Sequence, residues 1–583
     1  MSFAASGADL DGASVEERIA RLEHDWGDLD DPGNPLGAEQ FVAADAERRP
    51  LPAAERLLDD FRLNAEFVPG ELGGRLLRLD ALARVLRSVF RRDASLGMGY
   101  GMSSYMAAAV VWAGGSAEQR RDTAELLLSG GRMVCAYPEP AEGNDFLQNS
   151  FTTTPSGDGF LLSGRKEALN NASRASSLLL FAHPAGAARD AGDGHSAYLV
   201  RAPEPGSPGF RSLPRRSTVG LRGCLVNGVE FTRYGLTADQ LLGPPGAGAE
   251  LAARAFPVIR CVGPSMALGC ADTALRTAVA FARSHRSRSR ASLRTPRTRA
   301  ALVDAFTDLL LCDTLALVAT RGLHLLPREG PTLSAVVKYL LPTVLTEMVY
   351  DLSIVLGAES YASQGPYAVF QKSARDLPMI GLGPVGSTAS RAAIVTHLRR
   401  LPGLRAPVDE EVPAALFQPF GQELPGLRPE ELTRAADVDS LLGTLESTLW
   451  QASAADGGEL EKALAGYAAA LDAELTRLRR AGAHLADRPE GGPGLRGFAL
   501  AERYALIAAG AACLGVRRYH SGSPDDFLSG PAWAVMVLFR ILRRLDPGTP
   551  EPPRVAEEQL LDELLHRFDD ARSYDLYATL IGR

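Results

Sequence analysis

The sequence has little that could form disulfides, metal sites or membrane anchors. Its six cysteines include no C-x-x-C pair and no cysteine–histidine ligand spacing, so we expect neither a disulfide nor a metal site. No apolar run approaches the roughly 20 residues that cross a bilayer, and the polar, acidic N-terminus is unlike a signal peptide. These absences predict a cytoplasmic protein without a membrane span.

Lysine is also scarce: only four residues are lysine, although lysine and arginine together number 62. This bias, with abundant alanine, is typical of a GC-rich bacterial genome. The formal net charge of −8 argues against a nucleic-acid-binding protein, which usually carries a basic domain. One segment, 283–299, holds seven arginines and a histidine but no aromatic residue. We interpret it as a solvated or anion-facing helix end.

At 583 residues the chain is too long for one hydrophobic core. Helical periodicity gives way to short β-rich runs near Arg132, and helices return after Leu242. The predicted fold is mainly α with a small antiparallel β-domain. Its predicted parts are a loosely attached N-terminal arm (1–50), a helical domain (51–131), a β-domain (132–245), a four-helix bundle (246–402) and a second helical bundle (403–583).

Individual helices follow from apolar spacing and capping residues. Val15–Trp26 is amphipathic, and Ser116 is a plausible N-cap for the helix Glu118–Leu128. In the C-terminal region the predicted helices are Val438–Ala452, Glu459–Ala483, Leu500–Tyr519, Ala532–Leu545 and Ala556–Tyr574.

The stretch Cys135–Ser173, with CAYPEPAEGNDF followed by GFLLSGRKEALNNAS, resembles the first strands of the β-domain in the acyl-CoA dehydrogenase and acyl-CoA oxidase family. FVPGELGGRL, TVGLRGCLVNGVEFTRYGLTADQLLG and ARDLPMIGLGPVGSTASR are similar to other family segments in the same order. The resemblance covers about Leu57–Leu401. It implies the family fold, FAD, and an acyl thioester on CoA or an acyl carrier protein. It also implies a homodimer or tetramer, and we expect a role in bacterial secondary metabolism.

The family removes the α-proton of the thioester with a carboxylate base. The Y-E-G-T motif that carries this glutamate falls here on Pro384 or Val385, and no carboxylate occurs in 380–391. The alternative family position, just before an arginine on the first bundle helix, is Ile259. The resemblance therefore leaves the catalytic residue unknown. Arg260, on the helix that would line the acyl pocket, is the polar residue expected to face substrate.

The flavin-binding residues implied by the resemblance are altered as well. In the turn that follows Tyr137 and contains Gly143, Pro138 replaces a threonine and Asn144 replaces a serine. Asn144 could bond a cofactor phosphate or a substrate carbonyl. On the next strand, Ala168 and Asn170 stand where the family has an aromatic residue and a threonine against the flavin ring. The diphosphate motif falls near Arg288 and Ser289, and its glycine-rich turn reads Gly357–Tyr361.

Three functions stay open from the sequence. The first is a flavin oxidoreductase that acts on an acyl thioester. The second is a flavin-free, non-redox enzyme of acyl thioesters, such as an isomerase, dehydratase, cyclase or acyl-transfer enzyme. The third is an inactive subunit that pairs with an active homologue.

Overall fold

A computed structural model describes most of the chain. The described residues are 10–136, 149–186, 194–284, 293–381, 387–404, 412–421, 423–434, 436–445, 457–486, 494–520 and 526–582. Among them, packing separates two units. The first contains the residues up to Ile259 together with Pro429–Thr433, and the second contains the remaining residues from Arg260 onward. The five-part division predicted above stays a prediction.

The first unit begins with helices. They are α1 (Val15–Trp26), α2 (Ala38–Ala46), α3 (Pro52–Asp60), α4 (Leu79–Arg92), α5 (Ala94–Leu96), α6 (Ser103–Gly114) and α7 (Ala117–Leu128). The predicted N-cap of α7 is present: Ser116 Oγ accepts from the backbone of Gln119 at 3.1 Å, and the Gln119 side chain accepts in return. This reciprocal capping satisfies two backbone donors that a helix start leaves open.

The N-terminal arm is firmly attached, which corrects the expectation of a loose one. Arg18 pairs with the buried Glu66 at 2.8 Å. Trp26 is fully buried and donates to Ser88 Oγ on α4 at 3.2 Å. The expectation was wrong because it rested on composition. The arm is polar and acidic, but two of its carboxylates form ion pairs with buried arginines of α4.

The β-domain of this unit is a mixed sheet. Its strands are β1 (Met133–Ala136), β2 (Thr152–Ser156), β3 (Gly159–Asn170), β4 (Ser177–Pro184), β5 (Ser196–Arg201), β6 (Phe210–Ser212), β7 (Val226–Leu236) and β8 (Leu241–Leu242). The order is β6-β7-β3-β2-β4-β5-β8, with β1 beside β4. Both β1 and β2 run parallel to β4, so the prediction of a purely antiparallel domain was wrong for those pairs. The chain makes the β2–β3 hairpin before it returns as β4, which permits parallel pairing.

Alternating inward residues build the β-domain core. Phe151, Leu162 and Phe231 are at most 2% exposed. Lys166 is fully buried with its amine 5.4 Å from the centre of the Phe151 ring. The (CH₂)₄ stem packs as an apolar group while the ring face attracts the charge.

The remaining helices fill the second unit, apart from the start of α8. They are α8 (Gly248–Ser284), α9 (Pro296–Leu325), α10 (Gly330–Leu356), α11 (Ala368–Gly381), α12 (Ser387–Arg400), α13 (Glu459–Ala486), α14 (Gly494–His520), α15 (Asp526–Ser529), α16 (Ala532–Leu545) and α17 (Arg554–Asp569). Helix α9 packs against α10 and also against α14, α16 and α17. The bundle and the C-terminal helices therefore share one core.

Two local expectations differ from the structure. Ala368–Gly381 is a helix that the sequence analysis treated only as a motif. The predicted helix Val438–Ala452 begins instead as a 3₁₀ turn at Leu441–Leu445, and 446–456 lie outside the described residues. Gly443, a poor helix former, lies inside that turn.

Two helices contain windows long and apolar enough to cross a membrane by length and composition alone. They lie in Pro327–Tyr361 and Gly494–His520, and 50% and 78% of these windows are buried inside the protein. Core helices of soluble proteins pass the same test, so this finding is weak evidence for a membrane span.

Candidate functional site

A π-helical turn at Gly97–Met102 forms the centre of the candidate site in the first unit. Close packing requires its glycines: a Cβ on Gly97 would lie 2.2 Å from the Phe90 ring, and one on Gly101 would lie 2.7 Å from Phe67. A π turn shifts the backbone hydrogen-bond ladder by one residue, and such turns are frequent at functional sites.

Two asparagines at the end of β3 cap this turn. Asn170 Nδ2 donates to Met98 O at 2.7 Å and to Ser103 Oγ at 2.9 Å. Asn171 is fully buried, and its Nδ2 donates to Gly99 O. It adopts the left-handed conformation (φ 65°, ψ 14°), which asparagine tolerates better than most residues. The end of β3 and the π turn are thus fixed to each other by side-chain amides.

A polar network outside the turn holds Asn171 in place. Its Oδ1 accepts from Arg174 Nε at 3.0 Å, and Arg174 also pairs with Glu55 on α3 at 2.7 Å. Arg132, which precedes β1, lies over the ring of Tyr100 in the π turn at 4.7 Å. Burial and hydrogen bonding to a neighbouring carboxylate raise the pKa of Tyr100 above its usual range. This phenol therefore stays protonated and acts as a structural donor.

Asn170 has one atom without a partner. Its Oδ1 is buried and accepts no hydrogen bond from any described residue. Ala168, the other β3 position implied by the resemblance, is partly buried. The pairing of β3 with β7 is irregular between Lys166 and Leu169, and such irregularities re-aim the side chains beside them.

Many predicted site residues cannot be placed. Those outside the described residues are Tyr137, Pro138, Gly143, Asn144, Arg288, Ser289, Pro384 and Val385. Their predicted roles stay predictions.

Ile259, the alternative base position, is 3% exposed on α8 and carries no titratable group. Arg260, which follows it, is half-buried in the second unit. Lys338 on α10 is 4% exposed. Burial lowers the pKa of Lys338 to about 7, and the positive charge of Arg260 contributes in the same direction. The second unit thus contains an amine that titrates near neutral pH beside the arginine expected to face substrate.

A cavity of about 700 Å³ in the second unit lies beside the turn Gly357–Tyr361 and includes Gly357 in its wall. Three carboxylates also line it, on Asp304, Asp308 and Asp351, together with two arginines, Arg297 at the start of α9 and Arg540 from α16. Arg540 donates to Asp308 through Nε at 3.0 Å and to Asp304 at 3.1 Å. Burial raises the pKa of Asp304 to about 6, against the opposing charge of Arg540. The cavity wall therefore carries three carboxylates and two guanidinium groups.

A buried polar cluster that sequence reasoning missed joins α12, α14 and the segment 436–445. His397 Nε2 lies 3.0 Å from Asp439 Oδ2, to which Tyr504 donates at 2.6 Å. Glu329 accepts from the backbone and the hydroxyl of Ser440 at 2.9 and 2.5 Å. Burial opposes ionisation of Asp439, but the hydrogen bonds from His397 and Tyr504 outweigh it and lower the pKa. No sequence signal links residues so far apart.

The flavin implied by the resemblance can be tested against the end of β3. A flavin ring presents both an N–H donor and carbonyl acceptors along its pyrimidine edge. Asn170 Oδ1 is an acceptor that no described group satisfies, so it is chemically suited to such a donor. The cavity wall near Gly357 sets two arginines against three carboxylates, so it has no net positive charge to attract a diphosphate. Among the described residues, one acceptor at the end of β3 is chemically suited to the flavin ring, and the diphosphate partners predicted at Arg288 and Ser289 lie outside them.

Comparisons with known proteins agree on one fold. A family model described as acyl-CoA dehydrogenase, C-terminal domain, matches residues 246–395. The human mitochondrial short-chain specific acyl-CoA dehydrogenase is 28% identical over 366 residues, which are 62% of this chain and 86% of that protein.

Solved structures extend the likeness. Butyryl-CoA dehydrogenase from Megasphaera elsdenii aligns with a TM-score of 0.56 at 18% identity, over 65% of this chain and 96% of that one. The prolyl acyl carrier protein oxidase AnaB aligns with a TM-score of 0.55 at 17% identity, over 66% and 97%. At these identities the structures show the fold alone. They agree with the fold class expected from the sequence.

Proposed function

Because this chain belongs to the acyl-CoA dehydrogenase superfamily, we propose that it is a flavin-dependent oxidoreductase of an acyl thioester carried by CoA or a carrier protein. The observation that carries the proposal is the unpartnered acceptor Asn170 Oδ1, at the strand position where the superfamily faces its flavin. FAD, when bound, would supply the hydride acceptor. Asn170, Ala168 and the turn that begins at Tyr137 would hold it.

The proton side of the reaction needs a group other than the superfamily's glutamate. Ile259 cannot take a proton, and neither can Pro384 or Val385. Lys338 is neutral in a large fraction of molecules near pH 7 because burial and Arg260 disfavour its charge. A neutral amine can accept a proton, so the pH dependence of turnover is the quantity that would reveal its participation.

A second candidate function is a non-redox enzyme of acyl thioesters, or an inactive subunit paired with an active homologue. The buried, apolar Ile259 favours these alternatives. A chain without a base for the α-proton lacks one of the two groups, base and hydride acceptor, that the superfamily reaction needs.

As further proposals, we infer a cytoplasmic protein, a homodimer or tetramer, and a role in secondary metabolism. Support for the carrier-protein substrate comes from AnaB, whose name gives it a prolyl carrier-protein substrate.

Turnover separates these functions. The protein, reconstituted with FAD, is mixed with butyryl-CoA, butyryl-pantetheine and prolyl carrier protein, and dye reduction and oxygen consumption are recorded. The proposal expects reduction with at least one thioester and a rate that rises with pH around 7. Conversion of a thioester by flavin-free protein would select the non-redox function, and no conversion with or without FAD would select the inactive subunit.

A further inference from the structure

The loop between β6 and β7 presents positive charge around one apolar side chain. Its exposed part, 214–219, reads PRRSTV, and Val219 is 77% exposed. We call this surface the loop patch. Its charged residues are Arg48, Arg165, Arg215, Arg216, Arg222, Asp45 and Glu167, and the neutral pairs Arg49–Glu47 and Arg211–Glu230 border it. Among the described residues, five arginines against two carboxylates leave three unmatched positive charges, on a chain of formal net charge −8.

Three guanidinium groups hold the loop through its main-chain carbonyls. Arg48 Nη1 donates to Thr218 O at 3.1 Å, and Arg222 Nε donates to Val219 O at 3.0 Å. Arg215 Nη2 donates to two further carbonyls of the loop, at 2.9 and 3.0 Å. Because these hydrogen bonds fix the loop, a partner that binds it orders little chain on association and therefore gains affinity.

The charges that hold the loop are poorly neutralised. Among the described residues, no carboxylate forms an ion pair with Arg48 or Arg215, whose guanidinium groups donate to carbonyls. Arg222 lies 3.7 Å from the carboxylate of Asp45. The loop therefore carries a positive potential that attracts negatively charged surfaces.

Arg216 is the arginine of the loop patch that faces outward. Its side chain is 55% exposed and donates to Glu167 at 3.1 Å, and Glu167 also pairs with Arg165 at 2.9 Å. One carboxylate between two guanidinium groups leaves one positive charge. Such an exposed charge at the edge of an interface changes the association rate and salt dependence of a complex, while it contributes little to the fold.

The same loop leads into the candidate site. Cys224, five residues after Val219, packs against the π turn: a Cβ on Gly99 would lie 3.7 Å from its Sγ. The next residue, Leu225, accepts through its carbonyl from the backbone of Asn171 at 2.7 Å. Five extended residues span at most about 18 Å. A partner bound at Val219 is thus close enough to deliver a thioester on a flexible arm.

We propose that the loop patch is the docking surface for a carrier protein that holds the acyl thioester and presents carboxylates around an apolar groove for Val219. This inference rests on the proposed acyl-thioester function and names its partner: a carrier protein in preference to CoA. An apolar centre inside a polar rim is the usual anatomy of a protein interface. Charge complementarity across such a rim speeds association and selects the partner.

Two other anionic partners fit the loop patch less well. A phosphate of CoA is bound best by a paired fork of guanidinium donors, but Arg215 Nη2 and Arg222 Nε are committed to carbonyls. Stable attachment to an anionic membrane takes two signals, such as an acyl chain together with a polybasic segment. One exposed valine and three unmatched charges fall short of that.

The test is calorimetric titration of the full chain with prolyl carrier protein that bears its pantetheine arm. Arg216→Glu should weaken this binding by about fivefold, because a steering charge is reversed. Val219→Asp should weaken it by about tenfold, because the apolar contact is lost. Binding to the wild type should also weaken as the salt concentration rises from about 0.05 to about 0.5 M. Affinity for butyryl-CoA and butyryl-pantetheine should stay unchanged in both variants.

Matched control variants change the same chemistry outside the loop patch. Leu77→Asp replaces an apolar side chain that is 71% exposed, and Arg121→Glu reverses an exposed charge on α7. Neither should change carrier binding by more than about twofold. Val219 and Arg216 are exposed, so their variants should keep the thermal midpoint of the wild type. If Val219→Asp fails to fold, Arg216→Glu gives the second reading.

Each outcome decides the inference. Absence of carrier binding, or equal binding by the wild type and both patch variants, overturns it, and flavin reduction by a thioester would still support the proposed function. An equal loss of affinity for butyryl-CoA assigns the loop patch to phosphate and overturns it. Loss of wild-type binding to vesicles of phosphatidylcholine and phosphatidylserine in Arg216→Glu, with no effect on the carrier, also overturns it. Patch-dependent carrier binding without flavin reduction by any thioester would keep the docking surface and remove the proposed function.

Discussion

Replacement of Glu329 by glutamine should stabilise the second unit, and more so at high pH. Burial raises the pKa of Glu329 to about 8, and the negative charge of Asp439 adds to the effect. A carboxyl group whose pKa is higher in the folded state than the ordinary 4.5 takes up a proton on folding. Its stabilising contribution is therefore complete below pH 4.5 and is lost as the pH rises through 8.

The magnitude follows from the free energy of about 1.4 kcal/mol per pH unit that a shifted group contributes between its two pKa values. The folding free energy lost because Glu329 is buried reaches at most about 3 kcal/mol at pH 7 and about 5 kcal/mol at pH 9. Glutamine is neutral, has the same shape, and keeps an oxygen that can accept from Ser440 N. Glu329→Gln should consequently raise the free energy of local opening by up to these amounts, with almost no effect at pH 4.5.

Hydrogen exchange of the peptide 436–445, corrected for the intrinsic rate at each pH, measures this local opening. A local readout is needed because a chain with two packing units need not unfold in one step. Glu347→Gln, at an exposed carboxylate paired with Arg544, is the matched control and should change protection by less than about 1 kcal/mol. Equal protection gained by Glu329→Gln at pH 5 and pH 9, or reduced protection, would refute the reasoning.

Other predictions concern packing and ion pairs of the second unit. Arg540→Ala should destabilise it by about 3 kcal/mol, because the buried carboxylate of Asp308 loses its closest cation. Arg543→Ala, which removes an exposed pair, should cost less than about 1 kcal/mol, and equal losses in urea melts would contradict the assignment. Gly515→Ala places a Cβ 2.2 Å from the Phe417 ring and should lower the thermal midpoint. Gly466→Ala lies on a helix with open space around it, so it should add about 0.5–1 kcal/mol of stability and raise the thermal midpoint. A thermal midpoint that rises in both glycine variants would show that Phe417 yields freely.

The long, periodic elements were predictable from the sequence. Val15–Trp26 and Ala532–Leu545 have the bounds that apolar spacing indicated, because one apolar face per helix is sufficient to specify burial. Elements set by pairing partners were not predictable. The parallel pairing of β1 with β4 depends on which strands become neighbours, and the strand pattern alone carries no such information.

The candidate site divides in the same way. Asn170 was recognisable as an altered position on β3, since its neighbours match a family segment. Its free oxygen was not, because that depends on Met98 and Ser103, which lie about 70 residues away in the chain. The cluster of His397, Asp439 and Tyr504 likewise joins three separate segments and has no motif. The sequence thus identified Asn170 as a candidate site residue, but it did not show which polar atoms are hydrogen-bonded.

The visible absorption spectrum tests the proposed flavin chemistry most directly. Protein reconstituted with excess FAD and freed of unbound cofactor should show the flavin band near 450 nm with about one flavin per chain. Anaerobic addition of butyryl-CoA, butyryl-pantetheine or prolyl carrier protein should bleach that band with at least one of the three. A protein that stays colourless after reconstitution would contradict the proposal of a flavin oxidoreductase and leave the non-redox function in its place.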